Sequence, residues 1–106
     1  MMRIYIAGPY SHGDVAVNVR NAMEAANRVI EAGHAPFVPH LYHFQHLHAP
    51  HCYGIWTGID NAFVAVCDAL YRLPGQSTGA DAEWNLAMDL NIPCFDVLED
   101  LLEAMK

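Results

Sequence analysis

Short apolar segments alternate with longer amphipathic segments along the whole chain. The short segments predict strands at 3–7, 35–38, 68–73 and 93–97. The longer segments predict helices at 14–32, 53–67, 79–90 and 98–105. Strands that are separated by helices pair in parallel through right-handed crossovers, because each helix returns the chain to the same end of the sheet. The sequence therefore predicts one α/β domain over 1–106, with a doubly wound parallel sheet of four to five strands in a three-layer α/β/α arrangement.

The charge balance excludes several classes of partner. The chain has 12 acidic and 5 basic side chains, which give a formal net charge of −7. A protein that tracks nucleic acid or binds an anionic membrane surface needs a basic stripe, so we expect neither a nucleic-acid nor a membrane partner. Hydrophobic residues make up 54% of the chain, which favours a packed core over disorder.

The cysteines and the apolar runs indicate a cytoplasmic location. Cys52, Cys67 and Cys94 are odd in number and lack CxxC spacing, so we expect reduced thiols. The apolar run 4–7 is too short for a signal peptide. No apolar run approaches the ~18 residues that a membrane span requires.

A glutamate lies on the unexpected side of the predicted helix 79–90. Asp81, Asn85 and Asp89 form the polar stripe of this helix, whereas Glu83 lies roughly 200° around the axis from Asp81, among small and apolar residues. An inward carboxylate is costly to bury unless it has a role. The alternative is a partly exposed glutamate at the edge of the helix.

Asp60 repeats this pattern in the predicted helix 53–67. It is the only charged residue of a helix that is apolar nearly all round and is therefore expected to be buried. Burial raises the pKa of a carboxyl group, as a general acid near neutral pH requires. A pair of carboxyl groups can cleave a glycosidic bond, with one attacking the anomeric carbon and the other handling protons. The structural alternative is an aspartate that accepts a hydrogen bond from loop backbone.

Ligands of parallel α/β sheets bind beyond the carboxyl ends of the strands. The segments at those ends are 8–13, 40–52, 74–79 and the tail after Val97. Thr78 and Asp81 predict a variant capping box for the helix that follows, and the amides of segment 74–79 offer an anion site as an alternative to plain capping. Segment 8–13 matches neither GxGxxG nor a P-loop, so no dinucleotide or ATP cofactor is expected.

Segment 40–52 has little periodicity and is interpreted as an irregular loop. It contains five histidines, at positions 40, 43, 46, 48 and 51, together with Cys52. Their spacing matches no standard zinc motif and no carboxylate accompanies them, so we expect no metal site. A lid in which histidines and aromatic residues pack over a planar ligand is favoured, and side chains with no functional role are the remaining alternative.

Four motifs in this chain resemble the nucleoside 2-deoxyribosyltransferase-like superfamily. They are IYIAGPYS at 4–11, PFVPHLYHF at 36–44 followed by the pair Trp56 and Asp60, DALYRLPGQSTGADAEW at 68–84, and NIPCF at 91–95. The similarity covers about Arg3 to Val97 and is greatest to small bacterial and phage members of uncharacterised function, a DUF4406-like group. It implies a flavodoxin-like or Rossmann-like fold.

The resemblance also implies an activity and a site. Enzymes of this superfamily cleave the N-glycosidic bond of 2′-deoxynucleosides or their 5′-monophosphates through a glutamate nucleophile. By this likeness Glu83 is the nucleophile, Asp60 is the acid/base partner and Tyr5 orients the nucleophile. The partners implied are a small-molecule nucleoside or nucleotide and further copies of the chain in a homodimer or higher homo-oligomer. The residues expected to contact the substrate are Gly8, Pro9, Tyr10, Ser11, His40, His43, Trp56, Asp68, Ser77, Gly79 and Ala80.

Some of these expectations have alternatives. Asp68 opens a predicted strand, where an aspartate also serves as a plain hydrogen-bond acceptor at the strand end. For the whole protein, the alternative to an enzyme is a nucleotide-binding or sensor module without turnover, and a less favoured alternative is a metal-binding protein that uses the histidines. The preferred base, the nature of the 5′ group and the choice between water and a second base as acceptor stay open.

Overall fold

The fold is a parallel sheet of four strands flanked by helices, in a computed structural model that describes all 106 residues. The strands are β1 (Arg3–Ala7), β2 (Ala35–Phe37), β3 (Ala69–Arg72) and β4 (Cys94–Phe95), in the order β2-β1-β3-β4. The helices are α1 (Val15–Glu31), α2 (Tyr42–His48), α3 (Tyr53–Val64), α4 (Thr78–Asp89) and α5 (Leu98–Ala104), and a 3₁₀ turn at Pro39–Leu41 precedes α2. The predicted α/β doubly wound class is confirmed.

Each face of the sheet has its own core. Successive side chains of β1 point to opposite faces, so that Ile4 and Ile6 pack on one side and Tyr5 and Ala7 on the other. The first core is completed by α1 and α5, and the second by α3 and α4. The two cores lie between the three layers of the fold, one on each face of the sheet. Only the second core is next to the candidate active site.

The histidine-rich segment is not an irregular loop as the sequence predicted. Pro39 begins the 3₁₀ turn, and the chain continues directly into α2, whose seven residues include none that is buried. The helix lacks the apolar 3.6-residue pattern because it packs as one wall of an open cleft and covers no core. Its histidines therefore stand at helical spacing, which brings His43 and His46 to the same wall.

The prediction that the helix after Cys52 is buried is wrong for this chain. In α3 only Val64 is buried, whereas Tyr53 is 71% exposed and Ile55 is 48% exposed. The helix packs against α4, against the sheet through Phe63 and Val64, and against α2 through Trp56. The exposure of Tyr53 and Ile55 leaves its outer side uncovered. No helix in the structure combines the length and the apolar character that a membrane crossing requires.

The helix that contains Glu83 is capped one residue earlier than predicted. Ser77 is in an extended conformation with φ −162°, and its Oγ accepts a hydrogen bond from the backbone N–H of Ala80 at 3.0 Å. Thr78 is the first helical residue, and Asp81 points away from the cap. Ser77 is thus the N-cap, because only its side chain reaches a free amide of the first turn.

Candidate active site

A cleft of about 770 Å³ opens at the carboxyl ends of β1 and β3. These strands are neighbours, with Ala7 paired to Arg72 at the end of the ladder, so the loops that follow them share one edge of the sheet. The walls come from α2, α3 and the start of α4. Of the residues predicted for the site, the cleft is lined by Gly8, Tyr10, Ser11, His40, His43, Trp56, Asp60, Ser77, Gly79, Ala80 and Glu83.

Glu83 is buried at the base of this cleft. It lies on the side of α4 that faces the sheet and is only 9% exposed. The hydroxyl of Tyr5, a fully buried residue of β1, donates a hydrogen bond to Glu83 Oε2. Burial raises the pKa of Glu83 to about 7, the bond from Tyr5 lowers that pKa, and the charge of Asp60 raises it.

Tyr5 does not line the cleft but supports Glu83 from behind. Its own pKa is raised far above the ordinary value, first by burial and then by the charges of Glu83 and Asp60. The phenol is therefore a neutral donor near neutral pH. A neutral donor that faces a single carboxyl oxygen holds that group in one orientation and leaves the other oxygen available.

Asp60 enters the same cleft from α3. It is half-buried, and burial raises its pKa to about 6. The packing of α3 along α4 brings it close enough to Glu83 for its charge to raise the pKa of Glu83. The cleft therefore contains two carboxyl groups whose ionisation falls near neutral pH, which is the range in which a carboxyl group works as nucleophile or acid.

The start of α4 forms one end of the cleft. The N–H of Ala80 is bonded to Ser77 Oγ, and the N–H of Asp81 is bonded to Ser77 O at 3.1 Å. These bonds occupy the Ala80 amide that was expected to hold the substrate. The amides of Thr78 and Gly79 remain at the helix N-terminus, where the helix dipole favours an electron-rich group.

Tyr10 and His40 line another part of the cleft. The Tyr10 hydroxyl is hydrogen-bonded to His43 Nδ1, and His40 Nε2 donates to the Pro9 carbonyl at 2.9 Å. Burial lowers the pKa of His40, which favours its neutral form. Pro9 itself does not line the cleft, so its carbonyl supports the wall and does not face the cavity.

Trp56 forms an aromatic wall together with His46, which the sequence analysis assigned to the lid but did not include among the expected substrate contacts. Its Nε1 donates to His46 Nδ1 at 2.8 Å, and its ring centroid lies 5.2 Å from that of Tyr42 and 5.7 Å from that of His51. The three-residue spacing from His43 to His46 was the signal that could have placed both on one side of a helix. The ring of Trp56 is thus held in place on several sides.

Asp68 lies at the opposite edge of the sheet and outside the cleft. It precedes β3 and accepts hydrogen bonds from the backbone N–H of Arg3 at 2.8 Å and from its guanidinium at 3.4 Å. These bonds lower the pKa of Asp68. A residue before a parallel strand cannot reach the edge where the strand ends, so the expected substrate contact of Asp68 is corrected to a strand-end acceptor.

No three of the histidine, cysteine, aspartate and glutamate side chains are arranged to hold a metal ion. In the cleft, His43 Nδ1 and His46 Nδ1 are already hydrogen-bonded to Tyr10 and Trp56. His43 and His46 therefore act as hydrogen-bond partners of aromatic side chains. This arrangement contains no preformed set of ligands for the histidine metal site that was considered as an alternative.

Comparisons with known proteins place the chain in a family. Residues 2–97 match the profile of a domain of unknown function, DUF7768. The motifs suggested a DUF4406-like group, and the family whose profile matches is DUF7768. No curated protein matches the sequence.

Solved structures show the same fold. The 2-deoxyribosyltransferase of the psychrotolerant bacterium Bacillus psychrosaccharolyticus, described as a biocatalyst for nucleoside synthesis, matches with a TM-score of 0.61 at 19% identity, over 87% of this chain and 69% of that chain. A conserved protein from Enterococcus faecalis V583 matches with a TM-score of 0.69 at 20% identity, over 89% of this chain. This chain spans 61% of the length of the Enterococcus protein. The chain thus has the fold of a 2-deoxyribosyltransferase and belongs to the DUF7768 family.

Proposed function

We propose that this protein cleaves or transfers the N-glycosidic bond of a 2′-deoxynucleoside or its 5′-monophosphate, with Glu83 as the nucleophile. One observation carries the proposal. Glu83 is buried, accepts a hydrogen bond from Tyr5 and lines a cleft together with Asp60. It has no cationic partner, so the cost of its burial is not offset by an ion pair. The fold that the chain shares with a 2-deoxyribosyltransferase supports the same activity.

The first half-reaction forms a covalent intermediate. A carboxylate oxygen of Glu83 attacks C1′ of the sugar, and the bond between C1′ and the base nitrogen breaks with its electron pair leaving on the base. Asp60 donates a proton to the departing base. Tyr5 keeps its bond to the other oxygen of Glu83, so the attacking atom stays oriented throughout.

The second half-reaction releases the sugar. Asp60, now ionised, removes a proton from water or from an incoming base, which attacks C1′ while the bond to Glu83 breaks and the carboxylate leaves. With water the protein is a hydrolase, and with a second base it is a transferase. The raised pKa of Asp60, about 6, suits a group that must both give and take a proton near neutral pH.

The walls of the cleft suit the two ends of a nucleoside. The ring of Trp56, held by His46 and flanked by Tyr42, offers a flat surface for stacking a base. The hydroxyl of Ser77 and the N–H of Gly79 line the same cleft at the start of α4 and suit the 5′ group of the sugar. Glu83 lies on the same helix, six residues after Ser77.

We also propose that the working form is a homodimer or higher homo-oligomer in the cytoplasm. The outer side of α3 and the turn that follows it support assembly, because Tyr53, Ile55 and Val66 are between 48% and 71% exposed in the single chain. The three cysteines are free, as in a reducing compartment.

Incubation with a panel of 2′-deoxynucleosides and their 5′-monophosphates tests the proposal directly. The native protein should release free base, and Glu83→Ala and Glu83→Gln should abolish that release. Rapid quenching followed by mass spectrometry should find a deoxyribosyl group on the peptide that contains Glu83. Glu24→Gln is a matched control, since Glu24 is an exposed residue of α1, and it should retain full turnover. Full turnover by Glu83→Ala would remove the nucleophile assignment.

The panel also distinguishes a binding module from an enzyme. If a nucleotide raises the melting temperature of the native protein but no base is released with either water or a second base as acceptor, the protein is a nucleotide-binding or sensor module. Glu83 would then contact the ligand without chemistry.

A further inference from the structure

Arg72 is the last residue of β3, at the end of the strand nearest the cleft, but it does not line the cleft. Its side chain is 16% exposed, and its guanidinium makes five hydrogen bonds. Two of them reach Asp81 Oδ1, from Nε at 3.1 Å and from Nη2 at 2.7 Å. The ion pair with Asp81 ties the end of a central strand to the first turn of α4.

The other three bonds go to the loop between β3 and α4. Nη1 donates to the carbonyls of Leu73 at 2.7 Å and Gly75 at 3.0 Å, and Nη2 donates to the carbonyl of Ser77 at 3.4 Å. A planar guanidinium with five fixed donors can reach several acceptors at once, whereas the ammonium of a lysine cannot. One side chain therefore bonds to the beginning, the middle and the end of this loop.

The same loop supports the neighbouring wall of the cleft. Gly75 has φ +117°, and a Cβ added there would lie 2.8 Å from Pro9 Cγ, so the backbone of Gly75 packs directly on Pro9. The carbonyl of Pro9 in turn accepts the hydrogen bond from His40. Contacts thus continue from Arg72 through the loop to both sides of the cleft mouth.

We propose that Arg72 is a positioning residue for the substrate: its guanidinium holds the 73–77 loop in the one shape that presents Ser77 and Gly79 to the 5′ group. This inference rests on the proposed function for the identity of the ligand. Arg72 acts through the loop and does not contact the substrate. Glu83 is held separately, by Tyr5 and by the packing of Ala80 and Ala87 in the core, so the nucleophile keeps its place without Arg72.

The kinetic consequence is a change in KM with little change in kcat. In Arg72→Ala we expect KM for the best deoxynucleoside or deoxynucleotide to rise about tenfold while kcat stays within about twofold, since the lost contacts are made equally in ground and transition states. The pH dependence of kcat should be unchanged, because neither carboxyl group of the cleft is bonded to Arg72. Methylguanidine added to Arg72→Ala should restore KM by occupying the vacated position.

The controls separate positioning from general stability. Arg28→Ala removes another arginine–carboxylate pair, the one between Arg28 and Glu99, which is exposed and lies outside the cleft. The KM of Arg28→Ala should equal that of the native protein, both with and without methylguanidine. Arg72→Lys keeps the charge and the aliphatic stem, so it serves where Arg72→Ala is too unstable to assay. Arg72→Lys should also raise KM, and methylguanidine should not restore it because the lysine side chain occupies the position.

Amide hydrogen exchange across 73–81 tests the role of Arg72 without any turnover. Exchange there should be faster in Arg72→Ala and slow again with methylguanidine. If the native protein releases no base but exchange responds in this way, the proposed function fails and the loop support by Arg72 stands. Unchanged exchange in folded Arg72→Ala, unchanged KM, or a loss of kcat at constant KM would each overturn the positioning role.

Discussion

Replacing Glu83 with glutamine should stabilise the protein at neutral and alkaline pH. Glutamine keeps the shape of the side chain and an oxygen that accepts the Tyr5 hydrogen bond, but it never ionises. In the native protein, burial raises the pKa of Glu83 from 4.5 to about 7. Because the folded pKa lies above the unfolded pKa, the stability tied to the protonated form is fully present below about pH 4.5 and is lost as pH rises through 7.

The size of the effect follows from the same shift. Each tenfold change in proton affinity is worth about 1.4 kcal/mol, so the native protein should lose about 3 kcal/mol between pH 4 and pH 8 that Glu83→Gln does not lose. Urea unfolding of both proteins at several pH values measures this loss, and the difference between the two proteins cancels the titration of the groups that do not interact with Glu83. Glu24→Gln, at an exposed site, should follow the native curve.

The reasoning would be refuted if the free energy of unfolding changed with pH in the same way for the native protein and for Glu83→Gln. It would mean that Glu83 ionises in the folded protein as easily as in the unfolded chain. Such a carboxylate would be solvated, and neither the burial of Glu83 nor its role as a desolvated nucleophile could be maintained.

Three further substitutions test separate parts of the site. Tyr5→Phe removes a buried hydrogen bond to the ionised form of Glu83, so it should raise the pKa of Glu83 further and slow base release at pH 7 by about tenfold. Carbon-13 NMR of the Glu83 carboxyl group measures the pKa, and a turnover assay measures the rate. Asp60→Asn should slow base release by about 10²- to 10⁴-fold, less for a base that leaves easily without a proton, as a series of nucleosides would measure. Ser77→Ala should cost about 1 kcal/mol in urea unfolding and Thr78→Ala distinctly less, since Ser77 is the cap of α4; equal costs would contradict the observed cap.

Helical periodicity was sufficient to predict which way Glu83 faces, whereas the role of Tyr5 was implied only by the resemblance to the superfamily. The 3.6-residue period places Glu83 away from Asp81, and the two-residue period of β1 puts Tyr5 on the opposite face from Ile4 and Ile6. These are local rules that hold wherever the element packs. The alternation of strands and helices predicted the class for the same reason.

The predictions that failed depend on which other parts of the molecule contact a helix or strand. The apolar composition of α3 indicates that burial is favourable, but it does not tell whether this chain or a second one supplies the cover. The sequence around Asp68 does not show that Arg3 lies across the strand ends, because that contact spans 65 residues. Arg72 was missed because three of its five bonds are to backbone carbonyls of the following loop, and carbonyl groups carry no sequence signal. The other two bonds are to one carboxylate, that of Asp81.

The energetic cost of the cleft is itself an argument for chemistry there. A domain of this size has a total stability of roughly 5–15 kcal/mol, and the burial of ionised Glu83 alone takes about 3 kcal/mol of it at pH 8. The charge of Asp60 contributes to the raised pKa of Glu83, and Asp60 adds a cost of its own because burial raises its pKa to about 6. A single buried carboxylate could be explained by a cationic partner, but Glu83 faces a neutral phenol on one side and a second carboxyl group in the cleft. That arrangement destabilises the folded chain and suits a group that must react.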